Sequence, residues 1–176
     1  MRGQKAKCSK EAKEKKMEDN KESALEELRM RGMVPSDAEA LFLLARSVDP
    51  FSWSVGNFLD SLKAGDRITL LTRVTAFKEE ILGFFVLRTV LDASELMDIA
   101  VAAPFQGRGL GRRLLNAALK TAKLSGAARV TLEVRESNFK ARSLYETAGF
   151  TVDAVRKGYY RAREGRENAV LMTKVL

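Results

Sequence analysis

Histidine is absent from this chain of 176 residues. Its absence excludes histidine-ligated metal and Ser-His-Asp chemistry. It leaves a carboxylate as the natural general base, ahead of Tyr, Lys or Cys. The single cysteine, Cys8, lies in a charged segment. One cysteine allows no internal disulfide and argues against a cysteine-built metal site, so no metal is expected. No apolar run approaches membrane-spanning length. The first residues are too charged for a secretory signal, so the expected location is cytoplasmic, with no membrane partner.

What remains has the composition of an ordinary globular protein, 45% hydrophobic and 31% charged. The length suits one domain with a sizeable core. Residues 1–27 contain no aromatic residue, no Val and no Ile. Such a stretch cannot bury enough to fold by itself, and it reads as a flexible or helical charged extension ahead of a domain spanning 28–176. The net charge is +8. Little of it falls in the extension, where Lys and Glu are interleaved, so the domain itself is basic and attracts anions such as phosphates.

The element order is legible in the apolar pattern. Leu28–Val34 alternates as a strand, and Pro35-Ser36-Asp37 opens a helix with Ala38, Leu41, Leu44 and Ala45 on one face. Asp49-Pro50 ends it. Phe51-Ser52-Trp53-Ser54 is a loop into a second helix, Val55–Leu62. Its two aromatics suit either core packing or a substrate wall. Arg67–Thr75 and Ile81–Val90 read as antiparallel strands. A largely buried strand with Leu96, Ile99 and Val101 follows, bounded by Pro104. Further strands are expected at Arg129–Arg135, Phe150–Val155 and Ala169–Val175, with a helix at Asn138–Ala148. A polar loop carrying Tyr159, Tyr160 and the run Arg161–Arg166 joins the last two strands.

The central stretch is Gln106-Gly107-Arg108-Gly109-Leu110-Gly111, after a strand and before a helix. Its three glycines let backbone approach a ligand closely. The free N–H groups of the helix start favour an anion such as phosphate. The dinucleotide fingerprint needs glycine where Arg112 stands, and the P-loop needs Gly-Lys-Ser/Thr, so neither fits.

The pattern Gln-x-x-Gly-x-Gly resembles the pyrophosphate loop of the GCN5-related N-acetyltransferases (GNAT), which use acetyl-CoA. L-E-V-R-E-S-N at 132–138, L-Y-E-T-A-G-F at 144–150, F-S-W-S at 51–54 and the Tyr-Tyr pair before G-R-E-N-A at 165–169 are similar to the RimI-like branch of that family. The resemblance implies a mixed α/β fold, with a mostly antiparallel central sheet flanked by helices. It implies acetyl transfer from acetyl-CoA to the α-amine of a protein or peptide N-terminus, alanine first, of the ribosomal-protein type. No contact with nucleic acid is expected. A lysine or small-amine acetyltransferase, or a non-catalytic acyl-CoA-binding module, is the alternative.

By the same resemblance, Glu133 is the base and Tyr145 the acid. On the residues alone, Glu133 suits an ordinary ion pair, and Tyr145 a half-buried helix position. The implied cofactor contacts are Ile99, Ala100, Val101, Gly107, Arg108, Gly109, Leu110, Gly111, Arg112, Asn138 and Tyr145. Phe51, Trp53, Tyr159 and Tyr160 are the implied acceptor contacts.

Overall fold

The structure, a computed structural model, describes residues 27–76 and 78–176. The expected extension over 1–27 lies outside the described residues, apart from Glu27. The chain runs β1 (Glu27–Gly32), a 3-10 turn (Pro35–Asp37), α1 (Ala38–Val48), α2 (Val55–Lys63), β2 (Arg67–Val74), β3 (Glu79–Val90) and β4 (Ala93–Val101). A second 3-10 turn (Ala103–Phe105), α3 (Leu110–Leu124), β5 (Arg129–Arg135), α4 (Phe139–Thr147), β6 (Thr151–Arg161) and β7 (Arg166–Val175) follow. The seven strands form one sheet in the order β1-β2-β3-β4-β5-β7-β6. Every neighbouring pair is antiparallel except β4 and β5.

Helices cover both faces, and each face has its own core. Leu41 of α1 and Phe58 of α2 pack on Ile68, Leu70, Phe84 and Val86. Leu114, Leu115, Ala118 and Ala122 of α3 pack on Phe85, Leu87, Leu132 and Val134. The unbroken buried run Leu82–Leu87 follows from this two-sided cover. Burying each such large side chain contributes roughly 1.5–3 kcal/mol. Gly83 is a packing requirement. A Cβ there would lie 2.5 Å from the Ala100 carbonyl and 2.9 Å from Leu114 Cδ1.

The helix ends are set by local chemistry. Ser54 Oγ accepts from the Asn57 N–H at 3.2 Å, while the Ser54 N–H donates to Asn57 Oδ1 at 2.9 Å. This reciprocal pair starts α2. Asn138 Oδ1 accepts from the Ala141 N–H at 3.1 Å and starts α4. The anticipated apolar face of α1, Ala38, Leu41, Leu44 and Ala45, is the buried one.

Two expectations are corrected. Tyr159 and Tyr160 stand in β6, not in a loop; only residues 162–165 join β6 to β7. The strand is at the sheet edge and mostly exposed. It therefore lacks the apolar alternation that marks a half-buried strand. Second, β4 is not largely buried: Ile99 and Val101 are half-exposed, because its later part borders an opening in the sheet.

That opening comes from strand pairing. β4 and β5 pair only from Ala93↔Arg129 to Leu96↔Leu132. Beyond this point β4 stays with β3 as far as Val101, and β5 stays with β7 as far as Arg135. The two central strands therefore part in a V. A bulge sits at the fork: Leu87 faces Leu96 and Val86 faces Asp98, with Met97 as the additional residue.

Candidate active site

Two cavities meet at the open V. The larger, about 630 Å³, runs between Ile99–Val101, the turn at Gln106 and Gly107, and the α4 residues Ala141 and Leu144. The smaller, about 260 Å³, is bordered by Trp53, Asp98, Glu133, Arg135, Tyr145 and Tyr160. Ile99, Ala100, Phe51, Asn138 and Tyr145 border both.

One wall of the larger cavity is the glycine turn. Gly107 has φ 74° and Gly109 φ 78°, conformations that side chains resist. They turn the chain from β4 into α3 and aim the first N–H groups of the helix outward, where its dipole favours an anion. Gln106 Nε2 donates to the Val101 carbonyl at 3.0 Å and ties the turn to the strand. This cradle fits a phosphate-bearing ligand with a long, extended arm.

The smaller cavity is built from side chains. Glu133 lies on the face of β5 opposite Val130, Leu132 and Val134, as strand alternation requires. Its carboxylate pairs with Arg156 of β6 at 2.9 Å. The Tyr159 hydroxyl also bonds Glu133, which holds that phenol above its ordinary value. Arg156 caps the Tyr159 ring at 4.6 Å.

Arg135 makes different contacts. Nε donates to Asp49 Oδ2 at 3.0 Å, and Nη1 donates to the Arg161 carbonyl at 2.9 Å and to Glu167 at 3.4 Å. Its guanidinium stands 4.5 Å over the Tyr160 ring and 5.6 Å from that of Phe51. One side chain thus fastens the α1–α2 loop to β5, β6 and β7.

Tyr145 is 5% exposed, with its ring 5.8 Å from Phe150. Burial drives its phenol well above the ordinary value, and the nearby Asp98 and Tyr160 add to this. The hydroxyl therefore keeps its proton at neutral pH. Tyr160 is raised in the same way, first by burial and then by Glu133. Asp98 is part-exposed because one side meets the cavity. Burial nevertheless pushes its carboxyl up to about 7, against the pull of the Ile99 N–H.

Most anticipated site residues converge. Ile99, Ala100, Val101, Gly107, Gly111, Asn138, Tyr145 and Phe51 line the larger cavity; Glu133, Tyr145, Trp53 and Tyr160 line the smaller. Besides bordering the smaller cavity, Trp53 packs its ring 5.4 Å from Phe58. Arg108, Gly109, Leu110, Arg112 and Tyr159 line neither cavity. Arg108 lies 5.6 Å from the Phe105 ring, and Arg112 donates to Thr147 Oγ1. Asp98, Asp49 and Arg156 were missed by the sequence reading. Asp98 alone left a signal, as a lone acid within L-M-D-I-A-V.

A split parallel strand pair, a glycine turn, a carboxylate and a phenol thus border two adjoining cavities. The chain belongs to the Acetyltransferase (GNAT) family, whose profile matches residues 38–150. It is an N-acetyltransferase, and acetyl-CoA is its cosubstrate. The chain is 33% identical over 145 residues to the [ribosomal protein bS18]-alanine N-acetyltransferase of Haemophilus ducreyi, covering 82% of this chain and 97% of that one. The crystal structure of the ribosomal-protein-S18-alanine N-acetyltransferase from Escherichia coli superposes with a TM-score of 0.76 at 30% identity, covering 85% of this chain and 94% of that one. A GNAT acetyltransferase from Elizabethkingia anophelis with acetyl-CoA bound shares the fold, with a TM-score of 0.65 at 24% identity over 85% and 98% of the two chains. Among the described residues no cluster of metal-ligating side chains occurs, and no helix is long and apolar enough to cross a membrane.

Proposed function

We infer that this chain acetylates the α-amine of a protein N-terminus, alanine first, and that ribosomal protein bS18 is the acceptor, as it is for the relatives named above. The supporting observation is that Glu133 and Tyr145 border one small cavity at the fork of the V. An amine entering there meets a carboxylate from β5. The thioester lying along β4 has the Tyr145 phenol beside it. Glu133 accepts the proton that nitrogen sheds as it bonds to carbon, directly or through water. Nitrogen attacks the thioester carbon, the carbonyl becomes an oxyanion, and the N–H groups of Ile99–Val101 steady it. The C–S bond breaks, and Tyr145 gives its proton to the departing thiolate.

The acceptor class follows from the walls. Phe51, Trp53 and Tyr160 border the smaller cavity, and such aromatic walls suit a short peptide. An α-amine, with a reference pKa near 7.7–8.0, needs less help to lose its proton than a lysine near 10.4. The turn from Gly107 to Arg112 holds the pyrophosphate, and Asn138 borders the cofactor arm. A bS18 acceptor implies a cytoplasmic location.

Mass spectrometry of acetyl transfer to two peptides tests this. One has a free N-terminal alanine and no lysine; the other has a blocked N-terminus and an internal lysine. The first is expected to gain one acetyl group and the second none. The reverse result assigns the enzyme to lysine side chains.

A further inference from the structure

The acceptor amine arrives as an ammonium with three protons on nitrogen, and the amide product keeps one. Two protons therefore leave nitrogen in each turnover, one before attack and one after it. Tyr145 is a donor in this reaction and accepts neither. One carboxylate can take both only if it empties between the two events. The fork of the V offers two carboxyls, one from each parting strand. Glu133 follows Leu132, the last paired residue of β5, and Asp98 lies two residues beyond Leu96, the last paired residue of β4. Both border the smaller cavity.

Their surroundings differ. Glu133 is paired with Arg156 at 2.9 Å. Among the described residues no cation pairs with Asp98, whose partner is the Ile99 N–H. An unpaired acid inside the apolar stretch Leu96–Val101 is costly to the fold, and the bulge at Met97 is what turns it toward the cavity. The charged and titratable groups around it are Asp49 after α1, Glu133 and Arg135 of β5, Tyr145 of α4 and Tyr160 of β6. β3 faces it with Val86. Arg135 is already shared between Asp49 and Glu167.

We propose that Asp98 is a second proton acceptor of this site, taking the first proton from the incoming α-ammonium, while Glu133 takes the second after attack. The proposal rests on the amine-acetylating reading above and adds a catalytic residue to it. The balance closes: two protons pass to the two carboxylates, one passes from Tyr145 to the thiolate, and one proton is released to water overall once the three groups are reset. The affinity of Asp98 for a proton lies close to that of an α-amine. Transfer between them is then nearly even, which is where general base catalysis is most efficient.

The test is kcat/KM against pH from 5.5 to 9.5 for the full chain, Asp98→Asn and Glu133→Gln, with acetyl-CoA and an alanine-terminated peptide. Asp98→Asn is expected to lose about a hundredfold at pH 6.5. That loss shrinks above pH 8, where the amine deprotonates itself, and acetyl-CoA affinity stays at wild type. Glu133→Gln keeps the wild-type inflection on the acid side. An unaltered profile for Asp98→Asn overturns the proposal. So does an equal loss at every pH with a lowered melting temperature, which marks a structural role. A carbon-13 NMR titration of side-chain carboxyls gives a readout besides turnover, with one resonance absent in Asp98→Asn and titrating near pH 7. A carboxyl ionised throughout pH 6–8 overturns the proposal whatever the acceptor. If only lysine peptides are acetylated, the acceptor reading fails, and the same profiles on that acceptor still decide Asp98.

Discussion

The two cavities that meet at the V are made of different material. The larger is shaped by main chain: a strand that has lost its neighbour, two left-handed glycines and a helix start. The smaller is shaped by side chains from the α1–α2 loop, β4, β5, α4 and β6. A main-chain site tolerates much change of side chain but little change of conformation. A side-chain site has the opposite sensitivities. One half can hold a constant cosubstrate, while the other is free to be tuned to an acceptor.

The largest effects should separate chemistry from cosubstrate binding. Tyr145→Phe removes the donor for the thiolate and should lower kcat about a hundredfold or more at all moderate pH values. Calorimetry should show acetyl-CoA affinity little changed. Glu133→Gln should cost as much, by a factor that changes little with pH, because the proton it takes leaves nitrogen only after attack. Near-normal turnover in both variants would remove the pair from the mechanism and leave the smaller cavity as a docking pocket.

This contrast also governs what could be read from sequence. One wall of the larger cavity is contiguous, from Ile99 to Gly111, so its strand, turn and helix are visible as one pattern. The V itself is not visible, because strand periodicity says nothing about where a neighbour departs. The side-chain half was reached only through resemblance. Glu133 and Tyr145 come from motifs, but Arg156 meets Glu133, and Asp49 and Asp98 join them around the cavity, only after the sheet has formed. Nothing local in V-R-K-G-Y-Y announces that Arg156 will reach Glu133. The edge position of β6 also disguised its later half, beyond Val155, as a loop, which moved Tyr159 and Tyr160 out of their true element.

Next in size is the conformational sensitivity of the larger cavity. Gly109 precedes α3 at φ 78°, and a Cβ there meets no atom within 4 Å. The cost of Gly109→Val is therefore backbone strain of about 1–2 kcal/mol. If the turn relaxes by moving, acetyl-CoA affinity should fall about tenfold. Gly111 differs: it is helical, and a Cβ would sit 3.5 Å from Leu144 Cδ2, an ordinary contact. Gly111→Ala should leave affinity and melting temperature close to wild type. Equal losses in both variants would show that side-chain volume, not main-chain conformation, governs this half.

Arg135, which borders both cavities, tests whether the two can be tuned apart. Arg135→Met keeps most of the side-chain volume but unfastens Asp49, Glu167 and the Arg161 carbonyl. Losing charged hydrogen bonds that are partly exposed should cost roughly 1–2 kcal/mol. The expected readout is a several-fold rise in KM for peptide, with acetyl-CoA affinity intact. A matching fall in acetyl-CoA affinity would mean that Arg135 supports both cavities and that the division between them is not functional.

The smallest effect belongs to Tyr159. It is 42% exposed and lines neither cavity, yet its ring meets Tyr160 edge-on at 5.0 Å and carries Arg156 at 4.6 Å. Its hydroxyl bonds Glu133, the same carboxylate that Arg156 pairs. Tyr159 thus acts on the acceptor side by holding the wall and the carboxylate rather than by touching the cavity. Tyr159→Phe keeps the ring contacts and should change KM for peptide less than about twofold, since an exposed hydrogen bond contributes little. Tyr159→Ala also removes the platform under Arg156 and the edge contact to Tyr160, together about 1 kcal/mol. It should raise KM for peptide a few-fold, with acetyl-CoA affinity unchanged. If Tyr159→Ala instead lowers only the melting temperature and leaves KM alone, the tyrosine merely packs the β6–β7 hairpin, and the acceptor wall ends at Tyr160.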